Sequence, residues 1–296
     1  MRPCWTRVEA RIEAHYCHRY EADPEKPYCQ SLIMEKPNDV HSKTAIKVSE
    51  IIGQPFERGP AKSVKYAASY GAQAAKIAKT IGCSLQLGEM IFNGFWEAAK
   101  PLALFKGAIT KYWETTGQRS FILGIDKRKI PTRSKHALCN SAFQSCGVIC
   151  AKRAMVMHDR MLKEAGLLVD FFRQDWKTNK EFCQQLIAYH DESQLETHKS
   201  NVQMKVFKME VYTDTEQIKK EEKRVKQLAS EWKTKQEQLT GRTLSDVGHI
   251  GNVFYVGYCR AGELAVQAVN AAGKYYKLNT ELTAGYMLGN SWQSCH

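Results

Sequence analysis

The sequence of 296 residues lacks the features of a membrane-anchored protein, a secreted protein or a protein stabilised by a structural zinc site. No apolar run approaches the ~20 residues that a helix needs to cross a bilayer, and residues 1–14 are too polar for a signal peptide. The ten cysteines include no Cys-x-x-Cys pair, so neither a zinc ribbon nor a disulfide framework is indicated. We therefore expect a soluble, cytoplasmic protein with reduced thiols and no membrane partner.

Acidic residues are few relative to basic ones. The chain has 31 Asp and Glu against 43 Lys and Arg, a formal net charge of +12, and a pI near 9.1. This balance favours a polyanionic partner such as nucleic acid, although a generic basic surface is an open alternative. The apolar fraction of 43% is enough for a real core, and the length fits one large domain or two modest ones.

The first ~115 residues are predicted to be mostly helical, because apolar residues recur at helical spacing between Gly and Pro breaks. Short apolar runs around a Gly-Ile-Asp-Lys turn then predict a hairpin. A long helix is expected after it. The predicted helices are Asp39–Ile51, Ala61–Ile81, Glu89–Ala99, Leu102–Thr115 and Lys135–Glu164, and the predicted hairpin strands are Arg119–Ile125 and Arg128–Thr132.

A row of two cations and two aromatic rings is the most informative local pattern. Arg58, Lys62, Tyr66 and Tyr70 recur every four residues and are followed by Gly71, so a helix here would place them on one face. Lys and Arg can hold a polyphosphate by charge-assisted hydrogen bonds, and a tyrosine ring offers a flat surface for a base. The alternative is an ordinary solvated amphipathic helix with no nucleotide site. Taken alone, this row of residues favours that alternative.

A second row, His136, Asn140 and Gln144, has the same spacing. Side chains that donate and accept hydrogen bonds on one helical face could read the acceptors of a DNA minor groove. The alternative is an exposed helix start, which this triplet alone favours.

A third pattern, His190, Asp191 and Glu192, falls at the predicted bend between strands Cys183–Ala188 and Ser193–Glu196. Adjacent carboxylates repel, and a divalent cation bound there would offset that repulsion. An acidic surface turn is the alternative for this triplet taken alone.

Together and in this order, the three patterns resemble the motifs of the A-family DNA polymerases, which include bacterial DNA polymerase I and the podovirus-type phage replicative polymerases. The resemblance covers about residues 4–204 and 255–296. The fingers-helix signature Arg-x3-Lys-x7-Tyr-Gly is matched by Arg58, Lys62, Tyr70 and Gly71, with Tyr66 at the intermediate aromatic position. The helix signature with Arg, Asn and Gln is matched by Arg133, Ser134, His136, Asn140, Gln144, Ser145 and Gly147. The palm hairpin His-Asp-Glu is matched by His190, Asp191 and Glu192. Weaker matches are Asp39, Val40, His41, Thr44 and Ala45, and the terminal residues 290–296.

This resemblance implies an α+β fold: an antiparallel palm sheet with flanking helices and a mainly helical fingers subdomain, with the thumb and the proofreading exonuclease absent. The implied division is a palm entry with a remnant of the first motif at 1–41, fingers at 42–118, and palm with the catalytic hairpin at 119–205. A charged insertion at 206–251 and a final palm segment at 252–296 follow. The insertion's helix, Thr213–Thr240, is expected to be solvated scaffold, with salt-sensitive phosphate contacts as the alternative.

The resemblance also implies roles for single residues. Arg58 and Lys62 would bind the triphosphate, Tyr66 the sugar and base, and Tyr70 would lie near the template base, paired with Glu9, which excludes ribonucleotides. The residues expected on primer-template DNA are Arg133, His136, Asn140, Gln144 and His190. The expected catalytic residues are Asp191 and Glu192, with Asp191 as a metal ligand. Two Mg2+ ions and deoxynucleoside triphosphates are the implied cofactor and substrates, and attack by a primer 3'-hydroxyl is the implied reaction.

One position departs from the family. Its other essential aspartate belongs five residues before Glu9, where this chain has Cys4, and a thiolate suits magnesium poorly. We therefore expect the C-terminal catalytic fragment of a split or interrupted phage-type polymerase gene, partnered by an N-terminal fragment that carries the exonuclease and thumb. The alternative is an inactive remnant that still binds nucleotide or primer-template DNA. Single-subunit RNA polymerases fit less well, because they carry serine where Glu192 stands and Glu9 would exclude ribose.

Overall fold

Helices form most of the first 115 residues, as the sequence predicts. The computed structural model describes residues 2–168, 183–189, 192–197 and 202–289. Within these ranges the N-terminal helices are α1 Val8–Cys17, α2 Pro27–Ile33, α3 Val40–Ile52, α4 Arg58–Ser69, α5 Ala74–Ile81, α6 Leu85–Ala98 and α7 Lys100–Thr115. The fully buried apolar residues on these helices include Ile12, Val48, Val64, Ile91 and Leu102.

Side chains and glycines set the limits of these helices. Asp39 and Ser84 cap the N-termini of α3 and α6 by accepting hydrogen bonds from the amides of Ser42 and Leu87. The stretch predicted as one helix, Ala61–Ile81, is instead two helices, α4 and α5. The break follows Tyr70, because the next residue, Gly71, has a φ of +92°, which a continuous α-helix does not allow.

A hairpin and a long helix follow the N-terminal helices, also as predicted. Strands β2 Phe121–Leu123 and β3 Lys129–Pro131 pair antiparallel. A 3-10 turn at Lys135–Ala137 then leads into helix α8, Leu138–Glu164.

Two antiparallel sheets lie in the rest of the described chain. The first has the order β4-β5-β1-β9, with strands β1 Arg2–Trp5, β4 Cys183–Tyr189, β5 Glu192–Thr197 and β9 Ala284–Met287. The second has the order β6-β8-β7, with strands β6 Val202–Lys208, β7 Gly248–Ile250 and β8 Val253–Cys259. Helices α9, Thr215–Thr240, and α10, Arg260–Tyr275, complete this part. The fold is α+β with small antiparallel sheets, as expected.

The chain divides into two compact units. The helical unit contains Arg7–Ile149 and Tyr276–Glu281, and the sheet unit contains Met1–Thr6, Cys150–Tyr275 and Leu282–His296. In the sheet unit, Leu195, Tyr255, Cys259 and Tyr286 pack in one buried apolar cluster, so helix α10 and both sheets share a core. None of the helices in the described residues is long and apolar enough to span a membrane.

Candidate functional site

Helix α4 has one buried face and one exposed face, and the predicted row lies on the exposed one. Ala61, Val64 and Ala68 are fully buried. Lys62 is exposed, and 37% and 43% of Tyr66 and Tyr70 are exposed, with their ring centroids 6.2 Å apart. These side chains therefore share one exposed face of α4, and the two rings form a stacked pair at the C-terminal end of the helix.

Arg58, at the start of the same row, is held by a carboxylate. Its Nε donates to Asp39 Oδ2 at 3.1 Å, and its Nη2 contacts the same oxygen. Asp39 is buried and also accepts hydrogen bonds from the amide and hydroxyl of Ser42. Burial alone would raise the pKa of Asp39, but the hydrogen bonds from Arg58 and Ser42 outweigh it and hold this pKa well below its usual range. Among the described residues, Lys62 is the cation of the row that no carboxylate engages.

His41 lies beside the aromatic part of the row. Its ring is 5.9 Å from the ring of Tyr66, and its Nδ1 is buried with no hydrogen-bond partner in the described part of the chain. Burial, together with the nearby Lys65 cation, lowers the pKa of His41 to about 4, so the imidazole is neutral near pH 7. The sequence pointed to His41 only through the Asp-Val-His stretch and gave it no role.

Three predicted site residues from different elements meet at the end of α4. The hydroxyl of Tyr70 donates to Glu9 Oε1 at 3.3 Å, and Gln144 Nε2 donates to the same oxygen. Burial and the Glu9 carboxylate raise the pKa of Tyr70 to about 12, so the phenol remains a hydrogen-bond donor near pH 7. We call Glu9, Tyr70 and Gln144 the carboxylate cluster.

The glycine after Tyr70 allows α4 to approach the chain that precedes α8. A Cβ added to Gly71 would lie 2.8 Å from His136 Cβ and 3.0 Å from the carbonyl oxygen of His136, distances that a side chain does not tolerate. The His136 side chain is exposed here, as is Arg133, while Asn140 is half-buried one turn before Gln144. The second predicted row therefore starts next to the end of the first.

A buried ion pair that sequence reasoning did not identify lies beneath this surface. Lys65 Nζ is 2.6 Å from Glu13 Oε2, and the Tyr28 hydroxyl donates to Glu13 Oε1 at 2.6 Å. All three side chains are at least nine-tenths buried. The one sequence signal was a Lys on the apolar side of α4, which is expected only where the charge is paired.

The predicted catalytic hairpin is seen only in part. Strands β4 and β5 pair as expected, and the backbone of Cys4 lies opposite Glu192 in the register of β1 with β5. His190 and Asp191 lie outside the described residues. Position 4 is thus a strand neighbour of the hairpin.

Position 4 does not supply the kind of ligand that a site for two Mg2+ ions needs. The residue at position 4 is a thiol, a soft ligand, whereas Mg2+ takes oxygen ligands. No group of three or more His, Cys, Asp and Glu side chains within the described ranges could hold a metal ion.

Comparison with known proteins identifies the family of this chain. The family model of DNA polymerase family A matches residues 6–236. The DNA-directed DNA polymerase of Escherichia phage T7 is 27% identical over 171 residues, which are 54% of this chain and 23% of the phage protein. That of Enterobacteria phage T3 is 26% identical over 171 residues, with the same shares of each chain. The chain thus spans about a quarter of the length of these relatives.

The solved structures show the same fold. The polymerase domain of Pol1 from M. smegmatis, in complex with DNA primer-template and dNTP, superposes with a TM-score of 0.57 at 15% identity. The match covers 99% of this chain and 40% of that one. Because the family model spans well over half of the sequence, the chain belongs to DNA polymerase family A.

Proposed function

We propose that the chain is the catalytic part of a DNA-templated DNA polymerase that adds deoxynucleotides to a primer 3'-hydroxyl. The observation that carries this proposal is the carboxylate cluster, which joins Glu9, Tyr70 and Gln144 at the end of a helix that presents Lys62. The phage relatives are DNA-directed DNA polymerases, and the solved relative was captured with DNA primer-template and dNTP. We propose the same substrates for this chain.

In this proposal the α4 face binds the incoming nucleotide. Lys62 would contact the triphosphate, because it is exposed and no described carboxylate engages it. Tyr66 and the neutral imidazole of His41 would pack beside the sugar and base. Arg58 would join Lys62 by exchanging Asp39 for a phosphate. His41 is thus an addition to the residues that the motifs predict.

The carboxylate cluster would select the sugar and position the primer. A Glu9 carboxylate fixed by two donors occupies a defined position, where it would exclude a 2'-hydroxyl. On the template side we propose that Arg133, His136, Asn140 and Gln144 contact the minor groove, where hydrogen-bond acceptors recur at every base pair. His190 would extend this contact to the primer terminus.

For the chemical step we propose Asp191 and Glu192 as the carboxylates and Mg2+ as the metal. Because a thiol at position 4 does not complete that set, catalysis by this chain alone is expected to be weak. Cys4 is also the observation that favours a second candidate function: an inactive polymerase that binds nucleotide and primer-template without joining them.

The Cys4→Asp variant separates the two candidates. We expect primer extension with Mg2+ to be low for the unmodified chain and to increase in the variant, because position 4, which pairs with Glu192 in the strand register, would then supply an oxygen ligand. Cys4→Ser is the matched control, since it removes sulfur without adding a charge. Extension that stays absent in Cys4→Asp, while correct dNTP still binds to the primer-template complex, would support the inactive binder.

A further inference from the structure

The charged insertion is a folded layer, with one helix packed on a sheet. Val225 and Ala229 of α9 are buried against Phe254 and Val256 of β8, and Trp232 packs on the same cluster. The Trp232 ring meets Phe207 of β6 edge to face, with centroids 5.9 Å apart. Because this apolar stripe faces the sheet, the opposite face of α9 is fixed toward solvent.

Two of the five carboxylates of α9 have partners within this layer. Glu221 is 6% exposed, accepts from the amide of Glu210 and is paired with Arg224. Glu237 accepts a hydrogen bond from the amide of Leu244. Both carboxylates therefore serve to close the layer, and they do not neutralise the outer face.

The outer face of the N-terminal half of α9 carries a stripe of lysines. Lys220, Lys223 and Lys226 are exposed, and among the described residues none of them lies within 4 Å of a carboxylate. Residues three apart on a helix are neighbours, about 5–6 Å between Cβ atoms. We call these three residues the lysine stripe.

We propose that the lysine stripe binds the phosphate backbone of duplex DNA without regard to sequence. Duplex DNA carries one negative charge per ~1.7 Å of axis, so neighbouring cations on a rigid helix can contact successive phosphates. The stripe presents side chains with three donors each and no acceptor, which suits phosphate oxygens. The lysine stripe would contact DNA in addition to the residues named under the proposed function. The choice of DNA as the polyanion rests on that function.

Salt dependence of binding tests this proposal. The full chain is titrated with a blunt duplex of mixed sequence at several salt concentrations, without nucleotide, and compared with the variant Lys220→Gln/Lys223→Gln/Lys226→Gln. We expect the slope of log K against log salt to become shallower by about 0.9 for each lost contact, and Kd to rise about tenfold or more near 0.1 M salt. An unchanged slope and Kd would overturn the proposal.

Two controls isolate the stripe from net charge. The variant Lys47→Gln/Lys111→Gln/Lys163→Gln removes the same charge from exposed or half-exposed positions on α3, α7 and α8, and it should weaken binding less. Equal weakening by both triple variants would overturn the proposal. Glu216→Gln/Glu231→Gln removes two negative charges from the exposed part of α9 and should strengthen binding.

The assay also distinguishes this proposal from the proposed function. Duplex binding here needs no primer terminus and no dNTP, so a salt effect specific to the stripe can appear even where template-directed dNTP binding fails. Loss of the stripe should leave the affinity of a preformed primer-template complex for correct dNTP unchanged.

Discussion

At the residue scale, two carboxylates one turn apart on α1 are used differently. Glu13 is buried and holds Lys65 and the Tyr28 hydroxyl. Glu9 lies near the surface and holds Tyr70 and Gln144. The inner pair therefore ties α1 to α4, while the outer cluster keeps a carboxylate accessible at the same contact.

Removing only the cation of the buried Glu13–Lys65 pair should lower the free energy of unfolding. Lys65→Met leaves Glu13 buried without its cation, and one-sided loss of a buried pair typically costs about 3–5 kcal/mol. We expect the free energy of unfolding of the variant, measured with urea, to fall by about this amount.

Removing both charges together should restore much of that loss. Glu13→Leu/Lys65→Met/Tyr28→Phe replaces the pair with apolar groups of similar volume, a change that is often neutral in other proteins, and it also removes the hydroxyl that donates to Glu13. A triple variant no more stable than Lys65→Met would contradict the view that the unpaired charge is the main cost.

The outer cluster makes a prediction about sugar selection. Glu9→Ala removes the carboxylate that Tyr70 and Gln144 hold, so we expect the preference for dATP over ATP in primer-template complexes to shrink, mainly through tighter ATP binding. Equilibrium binding of the two nucleotides measures the ratio. Glu57→Ala, at an exposed glutamate just before α4 that makes no side-chain cap, should leave the ratio unchanged.

The Asp39–Arg58 pair should make stability depend on pH. The folded-state pKa of Asp39 lies below its usual value, so the stabilisation is present above the unfolded-state pKa of ~3.9 and is lost as pH falls through the folded value. Asp39→Asn keeps an N-cap acceptor for α3 but loses the charge that Arg58 engages, so it should cost about 1–2 kcal/mol near pH 7. The free energy of unfolding, measured with urea, should differ less between the unmodified protein and Asp39→Asn below about pH 4. A difference that is constant down to about pH 2.5 would contradict this assignment of the pKa shift.

At the element scale, helix type was easier to predict than helix limits. The periodic apolar residues were sufficient to predict that α3, α6, α7 and α8 are helices, since burial of one face decides helix formation. The break between α4 and α5 was not predicted, because the apolar period continues past Gly71 and does not reveal its positive φ. The Glu13–Lys65 pair was missed because 52 residues separate its members.

The close approach at Gly71 can be tested against a glycine without neighbours. Gly71→Ala requires both a positive φ and a Cβ 2.8 Å from His136 Cβ, so α4 must move away from the turn before α8. Gly53→Ala has a positive φ but nothing within 4 Å, and should cost only the left-handed strain of about 1–2 kcal/mol. We expect Gly71→Ala to cost clearly more in thermal unfolding and to weaken dNTP binding as well. Equal costs would contradict a tight contact with His136.

At the scale of the whole molecule, the sequence motifs were more informative than composition. The net charge of +12 indicated a polyanion but no reaction, whereas three short motifs identified the family that the comparisons show. The helical unit holds the α4 face and the carboxylate cluster, and the sheet unit holds the hairpin and the lysine stripe. The roles of both sets, including that of Asp191, stay predictions.

Template-directed nucleotide binding tests the central claim most directly. The full chain is mixed with a dideoxy-terminated primer-template, and the Kd of each of the four dNTPs is measured for the unmodified protein and for Lys62→Ala. We predict that the dNTP complementary to the template base binds at least about tenfold tighter than the others, a difference of about 1.4 kcal/mol, and that Lys62→Ala weakens its binding. Equal affinity for all four dNTPs, or affinity that Lys62→Ala leaves unchanged, would contradict a polymerase nucleotide site on α4.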